Sequence, residues 1–180
     1  YGVTWNHEPA ASNGYSARIT FYDANHCPGA CIVLIQVCVN NRITATHLHT
    51  GDMRYHAEKF ASYPLLREAV ASRSLDVCYL DTTYSHPKHT FVLQEEAVEM
   101  IAKQVKELIQ QDSQTMILLS CYAIGKEKVL VESARQCCQQ VYVTEKKWKM
   151  LECMQENCNS SGSSGSDQEA YQNLLQHCTR

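Results

Sequence analysis

Two short polar stretches hold the residues whose types point to chemistry. Asp-Ala-Asn-His-Cys-Pro-Gly at residues 23–29 contains His26, and His-Thr-Gly-Asp-Met-Arg at residues 49–54 contains Asp52. Each stretch breaks at a glycine or a Pro-Gly pair, which ends a strand and lets the backbone turn sharply. A neutral imidazole and a carboxylate are both good ligands for zinc. The two stretches therefore predict a metal-binding or catalytic site built on loops.

The elements that must position these loops are predicted to be β-strands. Runs typical of strands lie immediately upstream, at residues 18–22 and 42–46, and strand-end loops are where a rigid scaffold presents functional groups. The nearly continuous apolar run at 30–39 predicts a strand buried on both faces. An Asn-Asn pair then turns the chain towards Asp52. We expect antiparallel β-structure with functional loops at one end, preceded over residues 1–17 by a loop or by the end of an upstream element.

The second half of the sequence alternates between helical and strand patterns. Thr90 is a candidate cap for a long helix whose apolar residues recur at helical spacing. Alternation of this kind implies parallel pairing of strands. A run of Ser and Gly at residues 159–167 predicts a flexible linker. The patterns predict helices at 63–72, 90–110, 125–138 and from 145, and strands at 75–80, 115–120 and 141–143.

Composition excludes several classes of protein. The chain has 180 residues, 44% of them hydrophobic and 19% charged, which is ordinary for a globular domain. The net charge of −3 gives no polybasic surface, so nucleic-acid binding would depend on a local cluster of lysines. The ten cysteines form no Cys-x-x-Cys pair, which argues against a zinc finger and favours reduced thiols. No apolar run approaches the length of a membrane span.

Four short sequence motifs, in this order along the chain, resemble motifs of the DNA cross-link-repair nucleases. They are the stretches beginning at residues 23 and 49, Leu-Asp-Thr-Thr-Tyr at 80–84, and Ile-Gly-Lys-Glu-Lys at 124–128. These nucleases form part of the β-CASP branch of the metallo-β-lactamase superfamily, the group that includes Artemis and Apollo. The similarity extends weakly to about residue 157.

The resemblance implies a role for three residues of the first half. His26 would be a metal ligand, and Asp52 would be the carboxylate that bridges two zinc ions, which lie about 3.5–4 Å apart in two-metal sites. Asp81 would orient a ligand or a water. The alternatives are a surface histidine and two aspartates that merely cap turns. His47 and His49 with Asp52 superficially resemble a His-x-His-x-Asp-His signature, but the aspartate falls one residue late. We therefore expect His49 either to pack or to support a metal ligand, and His47 to be incidental.

A candidate phosphate-binding turn lies in the second half. It comprises Ser120, Gly125, Lys126 and Lys128, where a strand leads into a helix whose free backbone N–H groups and lysines suit a DNA phosphate. The turn lacks the first glycine and the final Ser or Thr of a P-loop, which argues against nucleotide hydrolysis. The family pattern is Gly-Thr-Tyr-Ser, where this chain has Ser-Cys-Tyr-Ala at 120–123. The alternative is an ordinary solvated first helical turn.

The resemblance also implies the fold, the partners and the activity. The fold would be α/β (α+β): residues 1–90 the C-terminal portion of an αββα metallo-β-lactamase sandwich, 91–158 part of a β-CASP region, and 159–180 a linker and tail. The activity would be that of a zinc-dependent 5′-exonuclease that acts on single-stranded DNA or 5′ ends in interstrand cross-link and break repair. The protein would act in the nucleus and would not associate with a membrane. Its protein partners cannot be read from the sequence.

One departure from the family leaves alternatives open. The upstream His-x-His-x-Asp-His stretch and a downstream histidine of the family's metal site are absent from the chain. We therefore expect either a central piece of a longer nuclease, inactive by itself, or a degenerate copy that serves as a binding module. A β-CASP RNA-processing nuclease is a third reading.

Overall fold

The structure is a computed structural model that describes residues 3–7, 14–160 and 174–179. The chain divides into two compact units, residues 1–89 (unit 1) and residues 90–180 (unit 2). Each unit is described by itself below. The protein is mixed α+β, with one larger sheet and several helices.

Unit 1 is built on a five-stranded sheet in which the strands follow one another in chain order. The first four strands pair antiparallel, and the last pair is parallel. The second, fourth and fifth strands therefore run in the same direction, and their carboxyl ends meet at one edge of the sheet. The strands are β1 (Val3–His7), β2 (Tyr15–Asp23), β3 (Cys31–Val39), β4 (Arg42–His49) and β5 (Val77–Tyr79).

The first strand was not expected from the sequence. Residues 1–17 were predicted to be a loop or the end of an upstream element, yet β1 pairs with β2 over five positions, from Val3 opposite Phe21 to His7 opposite Ala17. A short strand of mixed polarity has little local signal, and its pairing with a neighbour defines it. The prediction of a loop is therefore wrong for β1 and for the start of β2.

The central strand β3 is buried on one face only. Its residues alternate between half-buried and buried along the whole strand, so the prediction of burial on both faces is wrong. The turn from β3 to β4 is made by Asn40 and Asn41, both with positive φ (50° and 63°). Two consecutive left-handed residues are typical of the tight hairpin turn that matches strand twist. The Asn-Asn turn predicted from the sequence is confirmed.

Two helices accompany the sheet of unit 1, α1 (Ala57–Ala61) and α2 (Pro64–Ala71). Helix α2 matches the predicted helix at 63–72, with proline in its first turn, where a missing N–H costs nothing. Helix α1 was not predicted. The core of the unit joins these helices to one sheet face through the buried residues Tyr22, Ala24, Ile32, Leu34, Leu48 and Leu66.

The opposite face of the sheet is apolar and stays partly accessible. The side chains on it include Val33 and Ile35 of β3, both half-buried, and the more exposed Phe21 of β2. Phe21 and Val33 are direct cross-strand partners, so the apolar surface is continuous across strands.

The described residues of unit 2 form three α-helices and a two-stranded parallel sheet. The helices are α3 (Gln94–Gln111), α4 (Glu127–Cys137) and α5 (Glu145–Ser160). Strand β6 (Val141–Tyr142) pairs with β7 (Cys178–Thr179), which follows a 3-10 helix at Leu174–His177. The predicted parallel pairing is thus present here and between β4 and β5. The buried core of the unit consists of Leu130, Val143, Leu151 and Cys178.

Three expectations for unit 2 are corrected. Residues 115–120 do not form a strand, because no neighbouring strand pairs with them among the described residues, and Met116 and Leu118 are more than 80% exposed. Helix α3 begins at Gln94 after Leu93, which provides no side-chain cap, so Thr90 is not its N-cap. Helix α5 extends through Ser160, two residues into the predicted linker. The rest of that linker, 161–167, lies outside the described residues.

None of the described helices is long and apolar enough to cross a membrane.

Candidate functional site

The predicted chemistry-bearing residues of unit 1 lie on three loops at one edge of the sheet. The loops follow β2, β4 and β5, whose carboxyl ends meet there because the three strands run in the same direction. His26 lies on the first loop, Asp52 on the second and Asp81 on the third, and all three side chains are exposed. The sheet thus brings to one edge residues that are up to 55 positions apart in the sequence.

The first loop is closed by hydrogen bonds and by an ion pair that the sequence did not reveal. Asp23 accepts a hydrogen bond from the backbone N–H of Asn25 at 2.9 Å, and Ala24 and Ala30 are joined through their backbone at 3.1 Å. The Nζ of Lys59, on α1, lies 2.5 Å from Asp23 Oδ2 and donates to Asn25 Oδ1 at 3.2 Å. Helix α1 therefore anchors the loop that presents His26.

The second loop is tied to the first through backbone groups. The N–H of Arg54 donates to the carbonyl of Ala24 at 2.9 Å, and Asn25 Nδ2 donates to the carbonyl of Arg54 at 3.3 Å. Gly51 has φ +53°, and a Cβ there would lie 3.2 Å from the carbonyl oxygen of Cys31. A left-handed residue in close approach to backbone favours glycine. The turn before Asp52 therefore depends on Gly51.

The buried hydroxyl of Thr50 joins the second loop to the third. The N–H of Thr50 donates to the carbonyl of Tyr79 at 3.0 Å, and the N–H of Asp81 donates to Thr50 Oγ1 at 3.1 Å. Thr50 is only 2% exposed. It is a positioning residue that sequence reasoning missed, although it lies inside the His-Thr-Gly-Asp word.

The carboxylate of Asp81 is held by its own loop. Its Oδ1 accepts hydrogen bonds from the N–H of Thr83 at 2.9 Å and from Thr83 Oγ1 at 2.6 Å. These bonds, and to a smaller degree the electrostatic interaction with His26, hold the pKa of the Asp81 carboxyl below its usual value.

The donors at this edge do not form a complete metal site among the described residues. Within residues 3–7, 14–160 and 174–179, no three His, Cys, Asp or Glu side chains group closely enough to hold a metal ion. His26, Asp52 and Asp81 share an edge, yet a zinc site needs at least three protein ligands in tetrahedral geometry. The described residues therefore do not fit a complete zinc centre by themselves.

The other histidines near this edge pack against aromatic rings. His49 stacks on Tyr79 with ring centroids 4.1 Å apart, which confirms the packing role expected for it. His86 and His89 are exposed and contact each other edge to face, with ring centroids 6.4 Å apart. Neither pair forms part of a metal-binding group in the described part of the chain.

The candidate phosphate-binding turn of unit 2 is fixed by a buried ion pair. Glu127 is 1% exposed, and its Oε1 lies 2.6 Å from Nζ of Lys147 on α5. Lys147 Nζ also donates to the carbonyls of Tyr122 and Ala123, at 3.3 and 3.1 Å. Sequence reasoning missed the pairing of Glu127 with Lys147, because the two residues are 20 positions apart on different helices.

The backbone N–H of Gly125 is not free, which corrects one expectation. It donates to both carboxylate oxygens of Glu127, at 2.8 and 3.0 Å. Among the other predicted residues, Ser120 and Lys126 are exposed, while Lys128 is half-buried and donates to Gln94 at 3.5 Å. A ligand that approaches this turn would meet the side chains of Ser120 and Lys126 rather than the N–H of Gly125.

Comparison with known proteins shows sequence similarity to several DNA-repair proteins. The chain is 33% identical to the DNA cross-link repair 1A protein of Mus musculus over 139 residues, which is 77% of this chain and 13% of that protein. It is 37% identical to the DNA cross-link repair protein pso2/snm1 of Schizosaccharomyces pombe over 136 residues, 74% of this chain and 23% of that protein. It is 30% identical to the 5′ exonuclease Apollo of Danio rerio over 137 residues, 76% of this chain and 22% of that protein.

The matches cover most of this chain and a small part of each relative. The chain spans between 13% and 23% of the length of these three curated relatives. No protein-family model matches it. The four motifs, the convergence of three motif loops at one sheet edge and the identity over three quarters of the chain agree, and the chain is similar to a segment of the DNA cross-link-repair proteins that include Pso2/SNM1 and Apollo.

Proposed function

We propose that this chain is part of a DNA repair nuclease that hydrolyses DNA phosphodiesters as a 5′-exonuclease in interstrand cross-link and break repair. One observation supports this above the others: the sheet brings the loops of three family motifs to one edge, with Asp52, Asp81 and His26 exposed there. The name of the Danio rerio relative, a 5′ exonuclease, supports the polarity. The repair role would take place in the nucleus, on single-stranded DNA or 5′ ends.

The fold proposed for the complete protein is the αββα metallo-β-lactamase sandwich joined to a β-CASP region. Unit 1 supplies an αβ half, because α1 and α2 lie on one face of its sheet. The apolar opposite face, with Val33, Ile35 and Phe21, suits packing against a second sheet, as in other sandwiches. On this proposal unit 2 corresponds to part of the β-CASP region.

Two zinc ions are the proposed cofactor of the complete protein. His26 and Asp52 would hold zinc, and Asp81 would orient a ligand or a water. The described residues lack a group of three donors, so the remaining ligands must lie outside them, and we propose that the chain by itself is inactive. When bound, zinc would polarise the phosphoryl oxygens and activate the attacking water.

The residues of this chain have roles that do not depend on the metal. Thr50 and Gly51 fix the turn that presents Asp52, and Lys59 anchors the loop that presents His26. In unit 2, Lys126 would supply positive charge for a DNA phosphate, since its side chain is exposed. Lys128, which is half-buried, would add to the positive electrostatic potential around the turn.

The proposal is tested with a chimaera of the Danio rerio exonuclease. In this chimaera the matching segment of the present chain replaces the 137 aligned residues of the exonuclease. We expect the exchanged protein to degrade single-stranded DNA from its 5′ end and to bind zinc. Asp52→Ala should abolish degradation and lower the zinc content, whereas Glu58→Ala, an exposed carboxylate on α1, should leave both unchanged. An active Asp52→Ala protein would remove the metal role, and a zinc-free, inactive exchange would refute the nuclease proposal for this chain.

An alternative function is a binding module that retains the scaffold without catalysis. The absence of a three-donor group among the described residues favours it. In the same exchange experiment this alternative is expected to give DNA binding without hydrolysis. A parallel assay with RNA of the same sequence tests the reading as an RNA-processing nuclease.

A further inference from the structure

We propose that Tyr122 and Lys126 form a contact for one nucleotide of a single strand, in which the base stacks on the Tyr122 ring and a neighbouring phosphate pairs with the Lys126 ammonium. This inference rests on the proposed function, since it names a substrate contact for it. It assigns a role to Tyr122, which the candidate phosphate-binding set does not include.

The geometry of the turn brings the ring and the charge together. The Nζ of Lys126 lies 5.2 Å from the centroid of the Tyr122 ring, and it also donates to the carbonyl of Ser120 at 3.3 Å. Tyr122 is 76% exposed, and Lys126 is exposed as well. The ammonium lies over the ring, and most of the ring surface is open to solvent.

The backbone of the turn is held from the inside. Lys147 binds the carbonyls of Tyr122 and Ala123, and Glu127 accepts the N–H of Gly125. The bond from Gly125 uses the backbone N–H that a phosphate would otherwise meet. The contacts with Lys147 restrain the backbone of Tyr122 against movement, so that the ring is presented from a fixed position.

The groups left facing outward have the chemistry that single-strand binders use. Such proteins combine aromatic rings, on which bases stack, with positive charges that follow the phosphates. The ammonium is attracted electrostatically to one face of the ring, and a base would stack on the opposite face. Tyr122 and Lys126 supply one of each within a single turn of the chain.

The behaviour of the two groups can be separated with abasic DNA. Stacking requires a base, whereas charge pairing requires only a phosphate. Loss of Tyr122 should therefore weaken binding to a base-bearing strand and spare an abasic strand of the same length. Loss of Lys126 should weaken binding to both strands and lower the dependence of affinity on salt.

The experiment measures fluorescence anisotropy of a 5′-phosphorylated single-stranded oligonucleotide of about eight nucleotides, within the range of single-strand site sizes, against this 180-residue chain. We expect Tyr122→Ala to weaken binding of the base-bearing strand about tenfold, the effect of losing one stacked base, and to leave the abasic strand unchanged. Tyr122→Phe should bind as the unsubstituted chain does. Tyr15→Ala, which removes an exposed tyrosine at the far end of β2, is the matched control and should have no effect.

The outcomes separate the two proposals. If the unsubstituted chain binds the oligonucleotide and Tyr122→Ala binds it equally well, or loses both strands to the same extent, the stacking inference is overturned while the proposed function stands. If the unsubstituted chain binds no oligonucleotide, both the substrate contact and the DNA-binding part of the proposed function are overturned.

Discussion

The acidic groups at the sheet edge of unit 1 and in the turn of unit 2 differ in burial and in pairing. Asp52 and Asp81 at the edge are exposed, and the hydrogen bonds of Asp81 come from its own loop. Glu127 in the turn is buried, paired with Lys147 and bound to the N–H of Gly125. An exposed carboxylate retains oxygens for a ligand, whereas the Glu127 carboxylate is already used to hold the backbone. The carboxylates at the edge are therefore accessible to a ligand, whereas the carboxylate in the turn stabilises the backbone that carries exposed side chains.

The largest expected effect follows from breaking the buried ion pair. Lys147→Met leaves Glu127 uncompensated, and removal of one partner of a buried pair costs about 3–5 kcal/mol in the free energy of unfolding. We expect a loss towards the lower end, because the Lys147 side chain is 11% exposed. Urea denaturation measures it.

The control for that prediction is an exposed pair on the same helix. Lys149 and Glu145 approach to 3.6 Å with both side chains more than half exposed, so Lys149→Met should cost at most about 1 kcal/mol. Equal losses for the two substitutions would show that burial does not distinguish Glu127, and the contrast between the turn and the edge would disappear.

A smaller effect is expected at the edge, where Thr50 joins the second and third loops. Thr50→Val leaves the N–H of Asp81 without its acceptor, and an unsatisfied partner of this kind costs about 1–3 kcal/mol. Thr44→Val removes an exposed hydroxyl bond from Thr44 of β4 to the carbonyl of Val37 of β3 and should cost less. The comparison uses thermal and urea denaturation. A Thr50→Val loss no larger than that of Thr44→Val would mean that the hydroxyl does not organise the edge.

The smallest effect concerns the pH dependence of Asp81. Its folded-state pKa is lowered by Thr83 and by His26, so the stabilisation is present above the ordinary value of 3.8 and is lost as pH falls through the folded value. Asp81→Asn should therefore be slightly less stable than the unsubstituted chain at neutral pH, and the two should converge in acid.

Removal of the donor tests the cause of that shift. Thr83→Val should raise the pKa of Asp81 towards 3.8, measured by NMR titration of the carboxyl. An unchanged pKa in Thr83→Val would assign the shift to another group. A difference in stability between Asp81→Asn and the unsubstituted chain that persists in acid would contradict the linkage argument.

Local patterns predicted the elements whose signals are contained in the segment itself. The helix at 64–71, the Asn-Asn turn and the helix from Glu145 follow from proline placement, left-handed propensity and apolar spacing. The same patterns failed at residues 115–120, where apolar β-prone residues have no strand beside them among the described residues. A strand is defined by a neighbour, and the neighbour is not encoded in the segment.

The candidate site also combines features that local sequence predicts with contacts that only the tertiary structure shows. The sequence by itself determined which residues stand on turns after strands, because Gly51 and the Pro-Gly pair act locally on the backbone, and its motifs indicated the resemblance to cross-link-repair proteins. Only the tertiary structure decided that Thr50 joins the loop of Asp81, that Lys59 anchors the first loop, and that Glu127 pairs with Lys147. Each of these contacts joins residues 20 or more positions apart, and such contacts exist only once strand order and helix packing have brought the segments together.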